Sequence, residues 1–245
     1  MRRAINRIVR YLSGGATVQQ LFRLYQAKRR LKHFRDSEEV FTAYYTNHHW
    51  KKGGSETVSG AGSTLEYTKS LRRELPLLLH RLRVKRVLDA PCGDYNWFRL
   101  IQRTPDIHYV GADIVKPLIL KNREHYANET TTFIHLDITR NRLPDADLWI
   151  CRDCLMHLSN EDVGKAIDNF LRSNIPYLLT TTYTECQRNR DIPTGHFRQL
   201  NLELSPFSFC QPSLYIDDWS EGYPVKKLGL WQREQLSNLL VSKAE

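Results

Sequence analysis

Arg86-Val-Leu-Asp-Ala-Pro-Cys-Gly-Asp-Tyr-Asn-Trp-Phe98 is the stretch on which the reading of this 245-residue chain turns. Val87 and Leu88 form the short apolar run that a buried parallel strand carries, and the run stops at a carboxylate, Asp89, followed by turn-forming residues. Gly93 lets the backbone approach a ligand closely or take a positive φ, and from Asn96 onward Trp97, Phe98, Leu100 and Ile101 have helical spacing. A second run, His108-Tyr-Val-Gly-Ala-Asp-Ile114, puts Asp113 24 positions after Asp89. In open α/β sheets ligands sit at the carboxyl ends of the strands, and an acid at the tip of the second strand accepts ribose hydroxyls.

This strand, loop, helix and acid pattern fits a dinucleotide or another adenosine cofactor. A pyrophosphate site needs G-x-G-x-x-G, and here Pro91 and Tyr95 stand where glycines are expected, which disfavours an NAD-dependent oxidoreductase. The segment Asp89-Ala-Pro91-Cys-Gly93-Asp-Tyr95 resembles the first motif of the class I S-adenosylmethionine-dependent methyltransferases, roughly Asp-x-Gly-x-Gly-x-Gly, with only the middle glycine kept. The resemblance spans about residues 50 to 245. It implies an α/β three-layer, Rossmann-like sandwich with a mostly parallel seven-stranded sheet that ends in an antiparallel hairpin, and S-adenosyl-L-methionine as cofactor. Asp113 would hold the ribose, and Asp89, Pro91 and Gly93 the methionine end. Ile114 follows Asp113 at the same edge of the site.

Thr132-Phe-Ile-His-Leu-Asp137 reads as a third strand ending in an acid, and in the family the carboxylate there and the residue after it, here Asp137 and Ile138, meet the adenine. Acids at three successive strand tips are far more specific than any one of them. The fourth strand, Asp147 to Cys151, runs into Asp153 and His157, which are four apart and would share a face of a helical turn. A carboxylate beside an imidazole can deprotonate a hydroxyl near neutral pH, so both are candidate catalytic residues, and Asp153 also borders the cofactor. The chain lacks the Asn/Asp-Pro-Pro-Tyr found after this strand in many enzymes that methylate exocyclic or amide nitrogens. Cys151 and Cys154 form a lone CxxC, a weak metal or redox signal, and His48 with His49 lacks a nearby cysteine or carboxylate cluster, so no metal is expected.

The net charge of +9 lies in a tail: ten of the 36 basic residues and none of the 27 acidic ones fall in residues 1–35. Ile5, Ile8, Val9 and Leu12 recur at helical spacing among Arg2, Arg3, Arg7 and Arg10, and a second helical piece carries Val18, Leu21, Phe22 and Tyr25 ahead of a basic cluster from Lys28 to Lys32. This basic extension is separated from a catalytic domain over 36–245. It fits docking on an anionic membrane surface, and it competes with a solvated helix, a transit peptide and a nucleic-acid arm. No apolar run is long enough to span a bilayer, and five cysteines without a secretory signal argue for a reducing compartment. The expected location is the cytoplasm, peripheral on the membrane's inner face.

Four glycines in positions 53 to 62 predict a loop that approaches something closely, and the Ser63-x-x-Glu66 capping box predicts a helix from there through Leu71 and Leu75 towards Leu79. By the resemblance this segment folds over the cofactor, with Trp50, Gly60 and Ser63 at its edge. The polar segment from Glu185 to Pro212 occupies the region that varies with acceptor, which makes Arg188, His196 and Arg198 candidate substrate-binding residues for a hydroxylated or anionic group. Leu214 to Asp217 and Val225 to Trp231 read as the closing hairpin, and Gln235 to Ser242 as a final helix or a frayed tail. The Gly-Gly-Ser-Glu-Thr-x-Ser-Gly loop (53–60) and the Asp-Ala-Pro-Cys-Gly motif resemble polysaccharide-modifying members of the family, which points to O-methylation of a small-molecule or glycan hydroxyl. Two rivals remain: an RNA or protein methyltransferase using the basic arm, and a non-catalytic scaffold on the same sheet. Nucleic acid is the less favoured partner.

Overall fold

A computed structural model describes residues 36–51 and 54–241, with side chains through Ser237. The basic extension read over 1–35 lies outside the described residues.

Seven strands form one sheet: β1 (Arg86–Asp89), β2 (His108–Asp113), β3 (Thr131–His135), β4 (Leu148–Cys151), β5 (Tyr177–Thr182), β6 (Leu214–Asp217) and β7 (Lys227–Gln232). Their order is β3-β2-β1-β4-β5-β7-β6. The first five are parallel, and β7 runs antiparallel to both β5 and β6. The central strand β4 is apolar throughout because both faces are covered. Along β4, Leu148 and Ile150 enter one core while Trp149 and Cys151 enter the other, the alternation that a pleated strand imposes.

Helices build the outer layers. On one face α2 (Lys69–Arg81) buries Leu71, Leu75, Leu78 and Leu79, and α3 (Lys116–Tyr126) adds Ile119. On the other, α4 (Asn160–Arg172) buries Val163, Ala166, Ile167 and Phe170, and α5 (Arg233–Val241) adds Leu236. Ser159 caps α4 by accepting from the Asp162 amide at 3.1 Å, with Glu161 and Asp162 in the first turn where the helix dipole favours negative charge. The result is the three-layer α/β sandwich the sequence predicts.

Local readings differ from the structure in several places. Ahead of the glycine-rich loop an unpredicted helix forms, α1 (Ser37–Thr46), capped by Asp36 accepting from Glu39 N at 3.1 Å. The capping box at Ser63 does not form: the Thr64 hydroxyl takes the Tyr67 amide, Asn96 takes the Ser63 carbonyl, and the helix starts at Lys69. Between β1 and β2 there is no α-helix, only a 3₁₀ turn over Phe98–Leu100. Tyr95 is left-handed at φ 58°, and the turn already ends at Ile101, whose backbone is extended at ψ 123°. Strand β3 ends at His135, which leaves Asp137 in the turn beyond it.

Candidate active site

The parallel strands β1, β2, β3 and β4 deliver their carboxyl ends to one rim, and there the structure holds a cavity of about 290 Å³. Asp89, Pro91 and Gly93 line it from β1, Asp113 and Ile114 from β2, Asp137 and Ile138 from the turn after β3, and Asp153 and His157 from the loop after β4. Trp50 closes it from the other side with Phe41 and Tyr45 of α1, and the strap Val58–Ser63 lies between.

Each acid has its own setting. Asp89 is buried, its Oδ2 accepts from the Tyr109 hydroxyl at 2.7 Å, and burial pushes its carboxyl up to about 7 against the opposing pull of that hydrogen bond. Asp113 accepts from the amides of Gly93 at 3.1 Å and Val115 at 3.0 Å, and burial still raises it to about 6. Asp137 uses one oxygen on the amide and hydroxyl of Thr139, at 2.8 and 2.7 Å. Gly93 sits at φ 54°, and a Cβ there would lie 2.5 Å from Ser59 Oγ, so the turn requires glycine for space as well as for conformation. Asn122 of α3 donates to the Gly93 carbonyl at 2.8 Å and fixes the turn from below.

Tyr95, at the motif's third glycine position, does not enter the cavity. Its ring is buried against Phe98, Tyr109 and Phe133, and its hydroxyl accepts from Arg103 at 3.3 Å.

Asp153 and His157 both line the cavity, but not on one helical face. Asp153 is left-handed at φ 52°, and a 3₁₀ turn over Leu155–His157 replaces the expected helix. Asp153 forms ion pairs with Lys226 and, at 3.4 Å, with Arg152, and although burial opposes ionisation these cations hold its carboxyl well below the usual range. It is therefore a poor base. His157 is the better one: its Nδ1 meets the His196 carbonyl at 3.0 Å, and since a carbonyl can only accept, Nδ1 carries the proton. Burial lowers the His157 pKa, so the neutral ring keeps a lone pair on Nε2 at neutral pH.

The segment assigned to substrate is placed differently. Arg188, His196 and Arg198 do not line the cavity. Arg198 is buried and structural, donating to the Leu158 carbonyl and, at 3.1 Å, to Asn160 Oδ1. His196 contributes its backbone carbonyl to His157, and Arg188 is exposed.

Other residues carry weight that no local pattern announces. Arg152 follows β4, is buried, and donates to both oxygens of Asp218 at 2.9 Å, while Lys226 reaches Asp218 at 3.1 Å. Arg152 also donates to the Gly62 carbonyl at 2.7 Å and lies 5.4 Å from the Trp97 ring centroid. The four charges Arg152, Asp153, Asp218 and Lys226 thus tie the β6–β7 hairpin to the cavity floor. The five cysteines are free, and among the described residues no three His, Cys, Asp or Glu side chains form a metal-binding group. No helix among them is long and apolar enough to cross a membrane.

Comparison with known proteins bears on this site. The family described as "Methyltransferase domain" matches residues 87–176, from β1 to the edge of β5. Human N-acetylserotonin methyltransferase in complex with SAM is similar in structure, with a TM-score of 0.54 at 15% identity over 85% of this chain. The chain spans only 65% of that protein. Magnesium protoporphyrin IX methyltransferase from Synechocystis PCC 6803 with bound SAH gives a TM-score of 0.57 at 12% identity, over 80% of this chain and 97% of that one. Burkholderia thailandensis 1,6-didemethyltoxoflavin-N1-methyltransferase, with its acceptor and S-adenosylhomocysteine bound, gives 0.52 at 13% identity, over 80% of this chain and 86% of that one. No curated protein sequence matches. At these identities the solved structures establish the fold, and the matched domain is a methyltransferase domain. Residues 87–176 thus carry a methyltransferase domain, on a fold shared with S-adenosylmethionine-dependent enzymes.

Proposed function

We propose that the cavity binds S-adenosylmethionine at the end formed by β1, β2 and β3, and that the chain methylates a hydroxyl of a small-molecule or glycan acceptor at the end beside His157. One observation carries this reading: the same cavity is lined by Asp89, Gly93, Asp113 and Asp137 at one end and by a neutral imidazole at the other.

The residues fit the donor. Asp89 is a buried acid with one hydroxyl partner and a raised pKa, a setting that a ligand ammonium would relieve. Asp113 keeps acceptor capacity beyond its two amide bonds, suited to ribose hydroxyls, and Asp137 with Ile138 suits the adenine edge. Phe41, Tyr45 and Trp50 cover the cavity with aromatic surface that excludes water. When bound, S-adenosylmethionine supplies an electrophilic methyl on a sulfonium centre. The protein then has to orient the acceptor and remove one proton, and His157, held by the His196 carbonyl, takes that proton on Nε2. Asp153 stays ionised beside it and favours the imidazolium that forms.

Calorimetry with S-adenosylhomocysteine tests the donor site, and transfer of labelled methyl to a panel of phenols, hydroxy acids and oligosaccharides tests the acceptor class. Binding is expected with label entering an ether. Absence of binding would favour the scaffold alternative, and label in amide or amine nitrogen would refute the hydroxyl assignment. The basic segment 1–35 supports docking on an anionic surface, tested by co-sedimentation with phosphatidylserine vesicles at increasing salt.

A further inference from the structure

The turn after β1 sends alternate side chains in opposite directions. Tyr95 goes down into the aromatic core, while Asp94 and Asn96 reach up to the strap that borders the cavity. The Asp94 carboxylate accepts from Thr57 Oγ1 at 2.8 and 2.9 Å, from Val58 N at 2.8 Å and from Ser59 Oγ at 3.0 Å. Ser59 Oγ in turn accepts from Asp94 N at 3.0 Å, which makes a reciprocal pair. Thr57 is fully buried and its Oγ1 also accepts from Ser59 N at 3.1 Å, so the carboxylate and the strap's own hydroxyl together engage the hydroxyls of Thr57 and Ser59 and the amides of Val58 and Ser59. Asn96 Nδ2 donates to the Ser63 carbonyl at 3.0 Å and holds the other end. Between these anchors Gly60, at φ 96°, passes 3.4 Å under Trp50 Cβ, measured from where a side chain would begin. Val58, Ser59, Gly60 and Ser63 all line the cavity, whereas Asp94 does not.

We propose that Asp94 is a positioning residue for donor binding: its carboxylate folds Thr57–Ser59 onto the Gly93 turn and so builds the cavity wall that runs from Val58 to Ser63. A carboxylate suits this task because it only accepts, and the strap presents three donors and no competing acceptor to it. A hydrogen bond to an ionised group is about twice as strong as a neutral one, so three of them fix a glycine-rich strap that would otherwise sample many conformations. Preorganising the wall before the donor arrives removes an ordering cost from binding. This inference rests on the donor site proposed above.

The test measures S-adenosylhomocysteine binding by calorimetry on the full chain, with thermal unfolding of the unliganded protein alongside. Asp94→Asn keeps the shape and turns one acceptor into a donor facing donors, and Thr57→Val removes one strap hydroxyl at constant volume. Wild type should bind, Asp94→Asn at least tenfold more weakly, and Thr57→Val several-fold more weakly, with unliganded melting lowered less in Thr57→Val than in Asp94→Asn. Asp94→Glu should recover part of the affinity, which a purely structural loss would not predict. Trypsin cleavage after Lys51 should be suppressed by S-adenosylhomocysteine in wild type and less so in Asp94→Asn. If wild type binds and Asp94→Asn binds equally well, the inference is overturned while the donor site stands. If Asp94→Asn fails to fold, Thr57→Val decides, and wild-type affinity there overturns the inference. Absence of binding by wild type overturns the donor site and this inference with it.

Discussion

Lowering the pH from 7 to 5 should weaken S-adenosylhomocysteine binding about 50-fold, with Asp89 as the cause. Burial raises its carboxyl to about 7, so roughly half the molecules carry the charge at pH 7 and roughly 1% at pH 5. If the ionised form is the one that receives the ligand ammonium, affinity follows that fraction, and the loss is ~2.3 kcal/mol. Asp113, raised to about 6, steepens the slope below pH 6 if its charged form holds the ribose. The unliganded protein should respond in the opposite direction. An acid whose native pKa lies above its unfolded value near 3.8 holds a proton on folding between the two, so its contribution to stability is largest below pH 4 and is lost as pH rises towards 7. Calorimetry from pH 5 to 7.5, with unfolding curves of the free protein in the same buffers, separates the two slopes. Asp89→Asn retains an oxygen for the Tyr109 hydroxyl and should bind weakly with most of the pH dependence gone. A dissociation constant that does not change between pH 5 and 7, or an unaltered slope in Asp89→Asn, would refute the assignment of Asp89 to the ammonium.

His157→Gln should lower the methyl-transfer rate by about 10²- to 10⁴-fold at neutral pH, the range a general base contributes, while leaving S-adenosylhomocysteine affinity near wild type. The wild-type pH–rate profile should rise through a pKa below 6.5 and then level, because burial lowers the imidazole and only its neutral form accepts a proton. Loss of donor affinity in parallel with rate would place His157 in the donor site instead. Asp218→Ala leaves buried Arg152 and Lys226 without their shared counterion and should destabilise the fold by about 3–5 kcal/mol in urea unfolding. A loss under about 1 kcal/mol would show that Asp153 alone can hold both cations.

Much of this was legible because parallel strands with both faces covered leave an unbroken apolar signal. Val87-Leu88 and Leu148 to Cys151 end within a residue or two of where the runs stop. Strand tips of one parallel sheet converge, so Asp89, Pro91, Gly93, Asp113, Ile114, Asp137, Ile138, Asp153 and His157 line one cavity, and Trp50 joins them from the segment after α1. What escaped has two physical causes. Asp218 and Lys226 lie 66 and 73 positions from their partners Arg152 and Asp153, and no local spacing encodes such pairs. Arg188, His196 and Arg198 misled because a charged side chain does not show from sequence whether it faces a ligand or, like Arg198, a buried backbone carbonyl. The Asp94 clasp was invisible for the first reason as well, since its donors are 35 to 37 positions upstream.

The tyrosine at the motif's third glycine position bears most directly on whether this is an enzyme or an inert scaffold. Positions 93 and 95 both take left-handed backbone, at φ 54° and 58°, so the turn keeps the conformation that glycine would give at each. The two positions differ in what lies around them. At Gly93 the strap is so close that any side chain would displace Ser59, and the residue faces the cavity. At Tyr95 the side chain points away into a core of Phe98, Tyr109 and Phe133 and is 4% exposed. Left-handed backbone costs a tyrosine about 1–2 kcal/mol. Burying a ring of roughly 150–250 Å² at about 25 cal/mol per Å² returns ~4–6 kcal/mol, an upper figure because the unfolded chain already buries part of it. Packing therefore outweighs strain at position 95, whereas at position 93 no packing gain is open to a larger residue. A single glycine is enough to keep the cavity wall clear, and Tyr95 stabilises the fold beneath the site.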